Sequence, residues 1–406
     1  MQNDLGSALD AYLTPFVERL DFSGIIMVSR ADEVLATKAY GFANYEFGIP
    51  HTVTTRYWAG SISKMFTLAA IVALEKAGRL DRSDPLSRYL PAYPGGAAIT
   101  LRQLVDHTAG IARDLPLGSD RTEPHTTEEI VAMVARIPSI AAPGEAEAYS
   151  NNGYRILARV LEVAGGGDFA DIVRATVFEP LGMNDTLMPD LRDVVPLMAS
   201  GYVAGPGYGT LRHAAYYNVV NEPGAGAFYS TPSDLLTFAR SLPIEAAEPA
   251  ASGAEPGWVG HNGLGNGFAA YCYRFPDHDM CLVMMANIET GLFGRLNADL
   301  RRMMLGLSAP APEPPPAATV LDATRAHVYV GDYDLFPGVP LSVRPGPHGL
   351  EAAAGDAFHP LVPIGGDDFF MRLKYARIAF DVVDGESRSA TWSQDGTEFS
   401  LPRLRT

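Results

Sequence analysis

Cysteine is nearly absent from this chain: Cys272 and Cys281 are the only two in 406 residues. They flank a turn at Pro276-Asp277-His278-Asp279, and a tight turn there sets Cys281 opposite Arg274, which leaves Cys272 without a cysteine partner. No disulfide is expected, as suits a reducing compartment. No apolar run approaches the ~20 residues that a membrane-crossing helix needs. The opening Met1-Gln2-Asn3-Asp4-Leu5 lacks a basic segment followed by an apolar one, so no signal peptide is expected and the location expected is cytoplasmic. Dense Lys/Arg runs are missing too, and the net charge of −16 argues against nucleic acid or an anionic membrane as a partner. His278 lies near Cys281, but four convergent ligands and an HExxH motif are lacking, so neither a metal nor another cofactor is expected. The glycine run Gly165-Gly166-Gly167 lacks the Lys-Ser/Thr of a phosphate loop and reads as a helix stop.

What is present is an ordinary globular composition, 47% hydrophobic and 19% charged, in a chain long enough for two or three domains of about 100–200 residues. Leu5, Leu9, Tyr12, Leu13, Phe16 and Leu20 trace an amphipathic first helix that Pro15 should bend or end. A hairpin follows, with strands near 24–30 and 34–41. Thr100 and Gln103 form a capping box, a helix runs from about 152 to 163, and Thr231-Pro232 opens another that reaches about 242. Residues 267–275 and 280–286 read as paired strands. Leu292, Leu296, Leu300 and Met303 then mark a closing helix. The proline-rich stretch 308–318 reads as a stiff linker between a domain of 1–307 and one of 319–406. Turn signals such as Gly365-Gly366, Asp384-Gly385 and Asp395-Gly396 separate short alternating runs in that last part, which reads as all-β.

The chemistry centres on Ser61. Lys64 follows it by three residues, and Met65, Leu68, Ala69 and Val72 recur at helical spacing, so an amine stands one turn from a hydroxyl on the same face. A serine becomes a nucleophile when a neighbouring base takes its proton, and a lysine in a dry site supplies that base once burial lowers its pKa. The helix N-terminus adds partial positive charge and a free N–H. Downstream stand Tyr149-Ser150-Asn151, immediately before a helix, and His261-Asn262-Gly263, at the head of a strand-like run.

Ser-x-x-Lys, Tyr-x-Asn and His-x-Gly in this order resemble the serine β-lactamase and penicillin-binding-protein family, whose signature is S-x-x-K, S-D-N or a variant, and K-T-G. Further landmarks, among them His107-Thr108-Ala109-Gly110, Glu179-Pro180-Leu181-Gly182-Met183 and Gly224-Ala225-Gly226, extend the resemblance over roughly residues 5 to 305. It implies an α+β fold, with an antiparallel sheet flanked by helices and a helical subdomain, and it implies roles for residues. Ser61 would be the acylated nucleophile, with Lys64 and Tyr149 sharing the proton work and an ammonium beside the phenol lowering the tyrosine pKa. Asn151, His261 and Gly263 would bind substrate, His261 by a polar or cationic contact, and the oxyanion hole would be the N–H groups of Ser61 and Leu264. His107 reads as structural, while Tyr154, Tyr229 and Trp258 are expected near the pocket. The last domain resembles the small lipocalin-like barrel attached to some relatives.

Tyrosine in place of the serine of S-D-N, and histidine in place of the lysine of K-T-G, shift the resemblance from antibiotic hydrolysis toward D-residue-preferring peptidases and esterases. A cyclising thioesterase, a β-lactamase and a non-catalytic binding relative are the alternatives. The partner expected is a small-molecule or peptide substrate. The segment before His261 is shorter than in relatives, which suggests an open rim and favours water as acceptor.

Overall fold

The computed structural model describes residues 2–116, 122–242, 257–310, 314–336, 339–354 and 358–404. The central sheet is built from β1 (Gly24–Arg30), β2 (Glu33–Tyr40), β3 (Val259–Gly265), β4 (Phe268–Phe275) and β5 (Met280–Ala286), in the order β2-β1-β5-β4-β3. Every neighbouring pair is antiparallel. Because side chains alternate along a strand, this sheet feeds two cores. Ile26, Val28, Tyr271, Tyr273, Leu282 and Met284 face one cluster. Ile25, Met27, Ala270, Cys272, Val283 and Met285 face the other. Arg274 stands opposite Cys281 as the turn requires, and both thiols are buried and free.

The first core is closed by α1 (Gln2–Val17), through Leu9, Tyr12, Leu13 and Phe16, and by the last helix of the sheet domain, through Leu292, Leu296 and Leu300. Pro15 lies inside α1 without ending it: it falls in the final turn, so the backbone bond it removes is one of the last the helix would make. The second core is helical. It holds α2 (Ser63–Lys76), α3 (Leu101–Val105) with its capping box at Thr100 and Gln103, α4 (Asn151–Gly165) and α5 (Pro232–Ser241). α4 is capped by Ser150, whose hydroxyl accepts from the Gly153 N–H, and it stops at Gly166, which takes the left-handed conformation with φ +74°. No helix among the described residues is long and apolar enough to cross a membrane.

The C-terminal part opens on a short helical turn, 323–329, and is otherwise β, with a four-stranded and a five-stranded antiparallel sheet. Among the described residues the barrel expected from the sequence is not closed. A single bridge between Tyr333 and Arg403 joins the two sheets at one edge, and Tyr329, Tyr333, Phe369, Phe380 and Trp392 fill the space between them. Asp384-Gly385 and Asp395-Gly396 do make tight turns, all four residues having positive φ. The middle of the linker, 311–313, and most of the stretch before His261, 243–256, lie outside the described residues.

The two parts are not merely tethered. Val362, Phe370 and Tyr375 join the core formed with α1 and the closing helix. Arg372, 1% exposed, pairs with the buried Asp21 at 2.7 Å. Its guanidinium also donates to the carbonyls of Gly207, Thr210 and Leu20 at 2.7, 3.0 and 2.8 Å. The last sheets also keep a core of their own, around Tyr329, Tyr333, Phe369 and Phe380.

Candidate active site

Ser61 lies on a short 3-10 turn, Gly60–Ile62, that runs into α2. The α-helix proper starts at Ser63, two residues later than the sequence pattern suggests, yet Lys64 still falls one turn along because i and i+3 are neighbours in either helix type. Gly60 has φ +55°, which favours glycine. The edge strand β3 crosses this turn backbone to backbone: a Cβ on Gly263 would stand 2.2 Å from the Ala59 carbonyl oxygen and 3.0 Å from the Gly60 Cα. Glycine at position 263 is thus demanded by the approach of the strand to the Ser61 turn, and Leu264, half-exposed, follows directly along that strand.

Lys64 is 2% exposed. Its ammonium nitrogen stands 3.1 Å from Ser61 Oγ, 2.7 Å from Asn151 Oδ1 and 2.9 Å from the Ala225 carbonyl. Tyr149 donates to the same Ser61 Oγ at 2.9 Å. Serine, lysine, tyrosine and asparagine therefore converge from the Ser61 turn, from α2, from the loop before α4 and from the first residue of α4. Burial pulls the Lys64 pKa down to about 7, although the charge of Glu222 opposes it. Burial also pushes Tyr149 up to about 12. The sequence reading, in which a neighbouring ammonium lowers the phenol, is reversed here because desolvation outweighs the hydrogen bond to Ser61 and the charge of Arg113. Near neutral pH, Lys64 is the group that gives up its proton readily and Tyr149 stays a phenol.

His261 sits on β3 opposite Cys272, with its ring 6.4 Å from that of Tyr149. The ring retains some solvent contact but is crowded by protein, and this desolvation with the nearby Lys64 charge lowers its pKa to about 4. It is therefore neutral at pH 7, which removes the cationic half of its expected role. His107 has the same depressed pKa, about 4, again chiefly from burial. Its Nδ1 accepts from the Ser150 N–H at 3.1 Å, its carbonyl accepts from Ala148 at 2.8 Å, and its ring lies 4.6 Å from that of Tyr149. It braces the Tyr149 loop. Tyr154 lines the cavity beside Lys64, whereas Tyr229 is buried in the helical core and Trp258 packs on Tyr273 on the opposite side of the sheet.

The sequence reading missed a charged chain behind Asn151. The Asn151 amide donates to both Asp114 oxygens at 3.0 Å. Arg155, 1% exposed, reaches Asp114 at 3.2 Å and Glu222 at 2.5 Å, and Tyr217 donates to the second Glu222 oxygen. Because its oxygen faces an ammonium and its nitrogen faces a carboxylate, the Asn151 amide has one orientation only. One signal was legible: Asn151 and Arg155 lie four residues apart on one helix face, and a charge among Tyr154, Ile156 and Leu157 calls for a partner. Asp114 and Glu222 come from distant loops and carried no local signal.

With this geometry established, the relatives become informative. A family model described as "Beta-lactamase" matches residues 9–255. The chain belongs to the beta-lactamase family. It is 25% identical over 438 residues to penicillin-binding protein 4* of Bacillus subtilis (strain 168), with 96% of each chain covered. Its fold is shared with the solved structure of SurE at a TM-score of 0.64 and 22% identity, covering 99% of both chains. It is also shared with D-amino acid amidase from Ochrobactrum anthropi SV3, TM-score 0.63 and 21% identity, covering 75% of this chain and 97% of that one. SurE thus spans the sheet domain and the C-terminal sheets together, while the amidase matches three-quarters of the chain. Family membership makes this chain one of a group of serine hydrolases.

Proposed function

We propose that the protein hydrolyses an ester, amide or peptide bond through an acyl-Ser61 intermediate, with preference for substrates carrying a D-residue. The observation that carries this reading is the double approach to Ser61 Oγ, by Lys64 at 3.1 Å and Tyr149 at 2.9 Å, with Lys64 poised near neutrality. Neutral Lys64 takes the Ser61 proton as Oγ bonds to the substrate carbonyl carbon, and the N–H groups of Ser61 and Leu264 hold the oxyanion. The leaving group departs with a proton passed through Tyr149. Water then attacks the acyl carbon as Lys64 takes its proton, the bond between that carbon and Oγ breaks to release the acid, and Lys64 hands the proton back to Ser61 Oγ. Asn151, held by Asp114, fixes the lysine beside the substrate, while neutral His261 and the Gly263 backbone line the opposite wall. The D-residue preference draws support from the amidase among the structural neighbours and from the tyrosine and histidine variants of the motifs.

Incubation with a fluorophosphonate probe tests the nucleophile. Intact mass should show one adduct in the wild type and none in Ser61→Ala, and labelling that survives the substitution refutes the assignment. A panel of D- and L-aminoacyl esters and amides then reads the preference, and equal kcat/KM for both series removes the D-residue part.

A further inference from the structure

A cavity of about 910 Å³ opens beside Lys64, and the proposed chemistry uses only the end of it that Lys64 and His261 line. Lys64, Tyr154, His107 and His261 form its inner end. From there it follows one face of α2, where Met65, Leu68, Ala69 and Val72 line it in succession, and it reaches Lys76 on the last turn. This is the same i, i+3, i+4, i+7 stripe that marks α2 as amphipathic, and in a helix central to its domain such a stripe normally packs on protein. Here those four residues are only partly buried, Met65, Leu68 and Ala69 touching the helical core at one edge, while the other face, Phe66, Thr67, Ala70, Ile71 and Leu74, is buried. Across the cavity stand Val105, Val177, Leu181, Phe238, Leu242 and Val259. A mainly apolar trench, with Asp106, Thr108, Glu147, Thr176 and Ser241 as polar interruptions, thus leads from Lys64, and its volume falls at the upper end of what drug-sized ligands fill. From Lys64 to Lys76 it runs about 18 Å, twelve residues of helical rise.

We infer that this trench is a subsite for a linear apolar arm of the substrate, an aliphatic chain of medium to long length, laid along α2 from the reacting carbonyl. The inference rests on the acyl-Ser61 reading and names the substrate class for it. A short acyl group leaves the trench unfilled, whereas each methylene that enters it leaves water and gains about three-fold in kcat/KM. Val72 lies one helical turn beyond Leu68 and about 5 Å beyond Ala69 along the axis, so the stripe acts as a ruler.

The test uses the full chain and two homologous series: p-nitrophenyl alkanoates from acetate to octanoate for an arm on the acyl side, and acetate esters of linear alcohols from ethanol to octanol for an arm on the leaving side. In one of the two, kcat/KM should climb by about three-fold per methylene. Ala69→Phe should cut that climb short, and Val72→Phe should cut it at a longer chain. Both variants are read as the ratio of long- to short-chain rates, which loss of folded protein does not alter. Flat profiles in both series overturn the subsite, as does a wild-type climb that neither variant changes. Acetate turnover and Ser61 labelling with flat profiles leave the hydrolase reading standing, whereas no turnover and no labelling remove that reading itself.

Discussion

Lys64 makes a quantitative claim about rate against pH. A lysine in water holds its proton to about pH 10.4, but burial lowers this one to about 7. Only the neutral amine accepts the Ser61 proton, so the acylation rate should follow the neutral fraction, roughly one-tenth at pH 6 and nine-tenths at pH 8. Single-turnover release of p-nitrophenol from a short ester, followed from pH 5 to 9, should rise about ten-fold between those two points and then level. His107 and His261 titrate near pH 4 and are already neutral across this window. Charge around the lysine gives the claim a sign. Arg113 lowers the Lys64 pKa and is largely exposed, so Arg113→Ala should move the midpoint up. The same displacement acts on stability. In the unfolded chain Lys64 binds its proton up to about pH 10.4, so above pH 7 the unfolded state holds more protons and folding strengthens as pH rises toward that value. The wild type should therefore gain about 1 kcal/mol relative to Lys64→Met between pH 7.5 and 8.5. A midpoint near 10, or one that falls in Arg113→Ala, would refute the account of Lys64 as the buried base.

Two further outcomes follow from packing. Arg372→Met leaves the Asp21 carboxylate buried without its partner and should cost about 3–5 kcal/mol, read as a lower urea midpoint; a loss below about 1 kcal/mol would mean that the C-terminal sheets are only tethered to the first core. Gly263→Ala drives a methyl into the Ala59 carbonyl and must push β3 away from the Ser61 turn, so kcat/KM should drop by about 100-fold, as for a displacement near 1 Å, while unchanged labelling and turnover would show that the contact is slack.

Much of the site was legible in the sequence because its parts are local. Ser61 and Lys64 are fixed by one helical turn, Tyr149 and Asn151 by the two residues around the Ser150 cap, and His261 and Gly263 by strand spacing. The capping box at Thr100, the stop at Gly166 and the register that parts Cys272 from Cys281 are local in the same sense. They depend on neighbours within a few residues, and backbone geometry allows few alternatives. The tertiary structure decided what depends on desolvation and on distant charge. Burial, not the adjacent ammonium, sets the Tyr149 pKa and makes His261 neutral. Asp114 and Glu222 reach Arg155 from loops that no spacing connects to it. Arg372 finds Asp21 across 351 positions of chain, which ties the last sheets to the first core although they also hold a core of their own. The sequence by itself determined which groups could react, since covalent neighbours and helical pitch bring them together. Only the fold decided their charges, and the apolar trench beside them, because both follow from which surfaces water is denied.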